Sequence, residues 1–174
     1  MREMPETNRW LRLARHRWWD ESQARRTLGT AALKTLEARV GDSERRHSGE
    51  IRICIEAGLP LGYLWRNATA RERAVALFGK LRVWDTEANN GVLIYLLMAD
   101  RAVEIVADRG VDRLVSPAQW RAIVQAMQGD FGASRFEAGL NAALDAVDRL
   151  LSLHFPLAAG QADTNELPDA PIVI

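Results

Sequence analysis

The sequence is defined first by what it does not contain. Its one cysteine, Cys54, is alone among 174 residues, which excludes an internal disulfide and the stapled class of small secreted domains. No apolar run approaches the roughly 20 residues that a membrane-spanning helix needs. Net charge is also absent: Lys+Arg and Asp+Glu each number 23, so nothing in the overall balance draws the chain to nucleic acid or an anionic surface, though a local patch can still form. There is no glycine-rich phosphate loop, no Asp-x-Asp nucleophile motif, no EF-hand spacing and no internal repeat. Arginines interrupt the N-terminus where a signal peptide carries its apolar core. The expected compartment is therefore the cytoplasm.

What is present is 48% hydrophobic, enough for one domain with a real core. The chain is organised around residues 84–110. An acidic and amide-rich loop (Asp85, Glu87, Asn89, Asn90, Gly91) enters the most apolar stretch, Val92–Ala99, and Asp100-Arg101 turns it into a second one, Val103–Ala107. Such short runs of strand-favouring residues predict a buried β-hairpin. Its two free ends, at Asn89–Gly91 and Asp108–Gly110, must share one edge of the sheet.

Upstream, Ile51, Ile53 and Ile55 alternate with Arg52, Cys54 and Glu56, the pattern of a strand over 50–56. Thr69-Ala-Arg-Glu72 is a capping box that opens a helix over 69–82. Strand, helix and strand make a βαβ unit with parallel strands and a right-handed crossover. Its edge collects Ser48, Glu50, Asp85, Glu87, Asn89, Asn90, Asp108 and Arg109, with Glu50 expected at the surface. A helical pattern runs from Glu21 to His47, with Gly41 as its stop or kink. Ser116-Pro117-Ala-Gln119 and Ser134-Arg-Phe-Glu137 open two further helices. The predicted organisation is a basic, tryptophan-rich segment over 1–20, an α/β domain over 21–156 and a flexible tail over 157–174.

Within 1–20, a helical reading sets Trp10, Leu11, Ala14 and Trp18 on one side and Arg9, Arg12 and His16 on the other. Trp10, Trp18 and Trp19 interleaved with arginines fit three roles: cover for one end of the core, contact with a membrane surface or protein partner, or stacking on nucleic acid. The first two are favoured, and no nucleic-acid partner is expected.

At the polar edge, Asp85, Glu87, Asn89, Asn90 and Asp108 offer the hard oxygen donors that calcium or another divalent cation takes from carboxylates, amides and carbonyls. The plain alternative is turn chemistry, since Asn-Asn-Gly suits left-handed backbone angles. Cys54 reads as a core residue and His47 as a helix-end cap.

The set Gly49-Glu-Ile-Arg52, Ala70-Arg-Glu-Arg73, Leu81-Arg-Val-Trp-Asp85, Asn90-Gly-Val-Leu-Ile-Tyr-Leu-Leu97 and Val103-Glu-Ile-Val-Ala-Asp-Arg-Gly110 closely resembles the TPM domain family over about residues 22–156. It resembles the compact bacterial branch without signal peptide or membrane anchor. That resemblance implies a three-layer α/β/α sandwich with a small mixed sheet. It also implies calcium binding in an accessory or interaction module beside membrane protein complexes, or weak, metal-dependent acid phosphatase activity of broad specificity. The family commonly has Asp-Asn-Gly before the central strand, where this chain has Asn89-Asn90-Gly91. It commonly has Gly-aromatic-Gly after the hairpin, where this chain has Asp108-Arg109-Gly110. One charged ligand is thus removed at Asn89, and one is added nearby at Asp108.

Overall fold

The computed structural model describes residues 6–158 and 165–174. Its strands are β1 (Ile51–Glu56), β2 (Val92–Leu97), β3 (Ala102–Ala107) and β4 (Ile172–Val173), in spatial order β3-β2-β1-β4. β1 pairs in parallel with β2 and with β4, and β2 pairs antiparallel with β3. The helices are α1 (Glu6–Trp18), α2 (Glu21–Leu28), α3 (Thr30–Glu44), α4 (Leu61–Trp65), α5 (Ala70–Lys80), α6 (Arg109–Asp112), α7 (Pro117–Gly132) and α8 (Phe136–His154).

Strand side chains point alternately to opposite faces, and both central strands are buried on both. Ile51, Ile53, Ile55, Val92, Ile94 and Leu96 meet Leu36 and Val40 of α3 and Leu140, Leu144 and Val147 of α8. Cys54, Leu93, Tyr95 and Leu97 face the other way, onto Leu64 of α4 and Ala74 and Leu77 of α5. The α/β/α layering follows directly from that two-sided burial.

Local signals act where the sequence places them. Thr69/Glu72 and Ser116/Gln119 form reciprocal capping boxes. Two expectations are corrected. The break in the first helical stretch is Gly29, at φ +80°, whereas Gly41 stays inside α3; only glycine reaches Gly29's backbone angles without strain. At the last helix Ser134 takes φ +61° and leaves Arg135 as N-cap without a side-chain cap bond.

The tail also needs correction. Residues 159–164 lie outside the described residues, but 165–174 return to the sheet as β4 beside β1. Leu167 and Val173 are buried, and Ile174 N donates to Ile55 O at 2.9 Å. Glu50, expected at the surface, is fully buried because its carboxylate accepts from Glu166 N and Leu167 N, both at 3.0 Å. Arg52 donates to the carbonyls of Pro168 and Ala170. Two buried charges, Glu50 just before β1 and Arg52 within it, thus hold the backbone of the last segment.

Glu56, at the other end of β1, is a further buried charge. It receives Arg73 Nη2 at 2.7 Å, Arg73 Nε at 2.9 Å and the Tyr95 hydroxyl at 2.6 Å. Burial first, and then the Glu56 charge, push the Tyr95 phenol far above its ordinary value. Removing one partner strands a buried charge, which is costlier than losing one neutral hydrogen bond. Arg73→Ala should therefore destabilise by about 3–5 kcal/mol, and Tyr95→Phe by about 1–2 kcal/mol. Urea unfolding measures both, and equal small losses would contradict the ranking.

Candidate functional site

Two glycines let the chain fold tightly at the polar edge. A Cβ on Gly91 would collide with the Val83 carbonyl, and one on Gly110 would lie 2.5 Å from Asn89 O and 2.8 Å from Ala88 O. The 83–91 loop and the 108–110 turn are therefore pressed together. Asp108 N donates to Gly91 O at 2.9 Å, and Gly110 N to Asn89 O at 2.8 Å.

The five candidate oxygen donors meet different fates. Asp85 is exposed and paired with Arg82, three residues earlier. Glu87 is exposed, and its backbone N–H donates to the Glu166 carboxylate at 3.0 Å. Asn89, at φ +53°, fits the left-handed turn reading, and its Oδ1 accepts from Arg109 Nη2 at 3.2 Å.

Asn90 and Asp108 go inward. Asn90 is fully buried, its N–H donating to Thr86 Oγ1 at 3.0 Å and its Nδ2 to Ser48 O at 2.7 Å. The Nδ2 bond fixes the amide's orientation, because a carbonyl accepts only from the nitrogen end. Asn90 Oδ1 is then left buried with no hydrogen-bond partner. Asp108 is 6% exposed. Its Oδ1 accepts from Arg109 N at 2.6 Å at the start of α6, while Oδ2 is buried without a partner. Unsatisfied buried oxygens cost about 1–3 kcal/mol each, more for a carboxylate, so these two, on neighbouring segments, are open to a hydrogen-bond donor, water or a cation.

Among the described residues, no three His, Cys, Asp or Glu side chains group closely enough to hold a metal ion. A site here would draw on one carboxylate, amide oxygens, backbone carbonyls and water. The donors are all hard oxygens, a set that suits calcium or magnesium better than zinc.

The nucleophile and acid–base candidates go elsewhere. Cys54 is fully buried, and burial followed by the charge of Glu56 pushes its thiol up to about 12. His47 is also fully buried, with Nε2 2.8 Å from Ser43 Oγ, and Ser43 Oγ donates to Asp148 Oδ1 at 2.7 Å. Because the serine proton goes to the carboxylate, Nε2 must donate to the serine. That is the reverse of a hydrolase relay, so the trio joins α3 to α8.

Sequence reasoning missed two carboxylates that the last segment brings in. Glu166 reaches the 85–90 loop, and Asp169 lies where a Cβ on Gly41 would be 2.8 Å from its Oδ2. The first contact spans 79 residues and the second more than a hundred, so neither leaves a local signal.

A sequence model of the TPM domain matches residues 23–150. The chain belongs to the TPM domain family. Among solved structures, this TPM domain is similar to the NMR structure of the BA42 protein from the psychrophilic bacterium Bizionia argentinensis. The TM-score is 0.71 and the identity 28%, over 83% of this chain and 93% of that one. No curated protein matches. The resemblance in the sequence, the mixed sheet of this TPM domain and the solved neighbour agree on the fold.

Glu44, at the end of α3, gives the domain a pH dependence. Its Oε1 accepts from Ile51 N at 2.9 Å, and burial, then Glu50 and Asp169, push its carboxyl up to about 8 from 4.5. The folded chain thus binds a proton that the unfolded chain releases above about pH 4.5. This contribution to stability is full below that pH and falls as pH rises to about 8. Glu44→Gln should remove the slope, gaining on the order of a few kcal/mol at pH 8.5 and nothing at pH 4.5. Melting temperatures of both proteins at the two pH values test this, and an equal shift at both would contradict it.

Proposed function

We propose that this TPM domain is a divalent-cation-binding accessory module, with calcium the ion its donors suit best. One observation carries the reading: Asn90 Oδ1 and Asp108 Oδ2 are buried and unpartnered on either side of the Gly91–Asp108 hydrogen bond. Asn90 would supply an oriented amide oxygen and Asp108 the charge. Asn89 and Glu87 stand at the rim, and water completes the shell. Asp85, paired with Arg82, is the least engaged of the five. A single inward carboxylate argues for a weak site, with a dissociation constant on the order of 10⁻⁴–10⁻³ M.

The ion's chemistry when bound would be charge neutralisation at the edge. It would fix the 83–91 loop against the turn at α6, and so the surface that a partner meets. Cys54 and His47 are buried in packed layers and Ser43 is held by Asp148, so phosphate-ester hydrolysis, the alternative reading, would have to use a water on the bound metal.

Thermal unfolding of the metal-free protein tests the reading. Calcium at about a hundred times its dissociation constant should stabilise by ~2.7 kcal/mol, which is a rise of roughly 5–10 °C for a domain of this size. Asn90→Ala and Asp108→Ala should each abolish the rise, whereas Asp85→Ala should leave it largely intact. No rise with calcium or magnesium, or one that survives Asp108→Ala, would overturn the reading.

A further inference from the structure

α1 is docked the wrong way round for a helix that covers a core. At 100° per residue, Trp10, Ala14, Trp18 and Leu11 fall within an arc of about 100°, with Arg17 and Arg15 at its two margins. That apolar side faces solvent: Trp10 is 65% exposed, Leu11 68% and Trp18 76%. The docked side is mostly polar, with Leu13 packed on the core beside the polar anchors. Arg12 Nη2 meets Asp100 Oδ2 at 2.9 Å and Ala68 O at 2.9 Å. His16 is 3% exposed. Its Nδ1 accepts from Leu59 N at 3.0 Å, so Nε2 carries the proton that faces Asp100 Oδ1, also at 3.0 Å. Burial would raise the Asp100 carboxyl, but the bonds from His16 and Arg12 outweigh it and hold the group well below the usual carboxylate range. Gly58 lets the helix end come close, since a Cβ there would lie 2.6 Å from His16 O. Polar anchoring of this kind fixes α1 with its large apolar side chains turned outward.

The charge around that face is one-sided. Residues 9–18 hold four arginines and no acid, and the carboxylate bound to them is Asp100. Trp65 of α4, exposed beside α1, carries the Arg9 guanidinium 5.4 Å from its ring. Tryptophan and leucine on one face, with arginine at both margins, match a bilayer interface. Indole rings sit among the headgroups there and guanidinium groups pair with phosphates. A protein groove would instead leave the flanking cations to find acidic partners. No helix among the described residues is long and apolar enough to cross a membrane, so the contact is one of lying on the surface.

We propose that α1 docks this protein on an anionic lipid surface, with Trp10, Leu11, Ala14 and Trp18 inserted and Arg17 at headgroup level. The proposal is independent of the cation reading, because it uses other residues and needs no metal.

Flotation of the full chain with lipid vesicles, in metal-free buffer, tests it. Vesicles of phosphatidylcholine with about 30 mol% phosphatidylglycerol should bind at least about tenfold more protein than phosphatidylcholine alone, and about 0.5 M NaCl should remove most of the difference. Trp10→Ser/Trp18→Ser should lower binding about tenfold or more, and Arg17→Gln severalfold. Both variants should keep the parent's melting temperature, since the substituted side chains lie outside the packed core. A parent that stays unbound on anionic vesicles would overturn the proposal, as would a serine variant that floats equally well. A concentration-dependent dimer seen by light scattering, lost in the serine variant and unaccompanied by flotation, would give the face to a second copy and overturn it too.

Discussion

Neither face of the β1–β2 pair reaches water, and most of the structure answers that constraint. Helices must cover both sides, and every polar group on these strands must find a partner inside. Glu50 takes the backbone amides of the last segment, Arg52 takes its carbonyls, and Glu56 takes Arg73 and Tyr95. These bonds couple the third layer and the chain's end to the central strands. The buried charges therefore act as fastening points, and breaking one leaves its partner stranded in a dry interior.

The same constraint makes the polar edge informative. Where β2 begins and β3 ends the chain leaves the sheet, yet Asn90 and Asp108 stay buried. Elsewhere on the central strands the carboxylates are bonded; here two oxygens are not. Gly91 and Gly110 hold the two segments too close for any side chain at those positions. The edge is thus tightly packed in backbone and incomplete in hydrogen bonding, the state that the proposed cation would complete.

The core was legible in the sequence because its signals are local. Alternating isoleucines mark β1, apolar runs mark the hairpin, and Thr69–Glu72 marks the start of α5. The apolar positions spaced at helical intervals along α8, Phe136, Leu140, Leu144, Val147 and Leu151, are all buried. What was not legible depends on partners far along the chain. A two-residue strand between prolines and chain end carries no periodicity, so β4 could not be read. Glu50 looked like a surface residue because the amides it binds lie 116 and 117 positions away. The tryptophan stripe of α1 is readable as amphipathic, but which side docks was decided by Asp100, 84 to 88 residues on. Trp19 did join the core, edge-on to Phe136 with ring centroids 6.2 Å apart, whereas Trp10 and Trp18 did not. At the candidate site the residue types were legible, and the division into inward Asn90 and Asp108 and outward Asp85 and Glu87 was not.

The proposed divalent cation would be held by Asn90 and Asp108 at the edge formed by residues 89–91 and 108–110. The most direct test is a calcium titration followed by ¹⁵N–¹H correlation spectra of the metal-free protein. The account predicts saturable shifts centred on the amides of Asn90, Gly91, Asp108, Arg109 and Gly110, and on the Asn90 side-chain amide, with the distant residues of α1 unmoved. Shifts confined to the amides of exposed acidic residues such as Asp85 and Asp42, or none at concentrations well above millimolar, would contradict it.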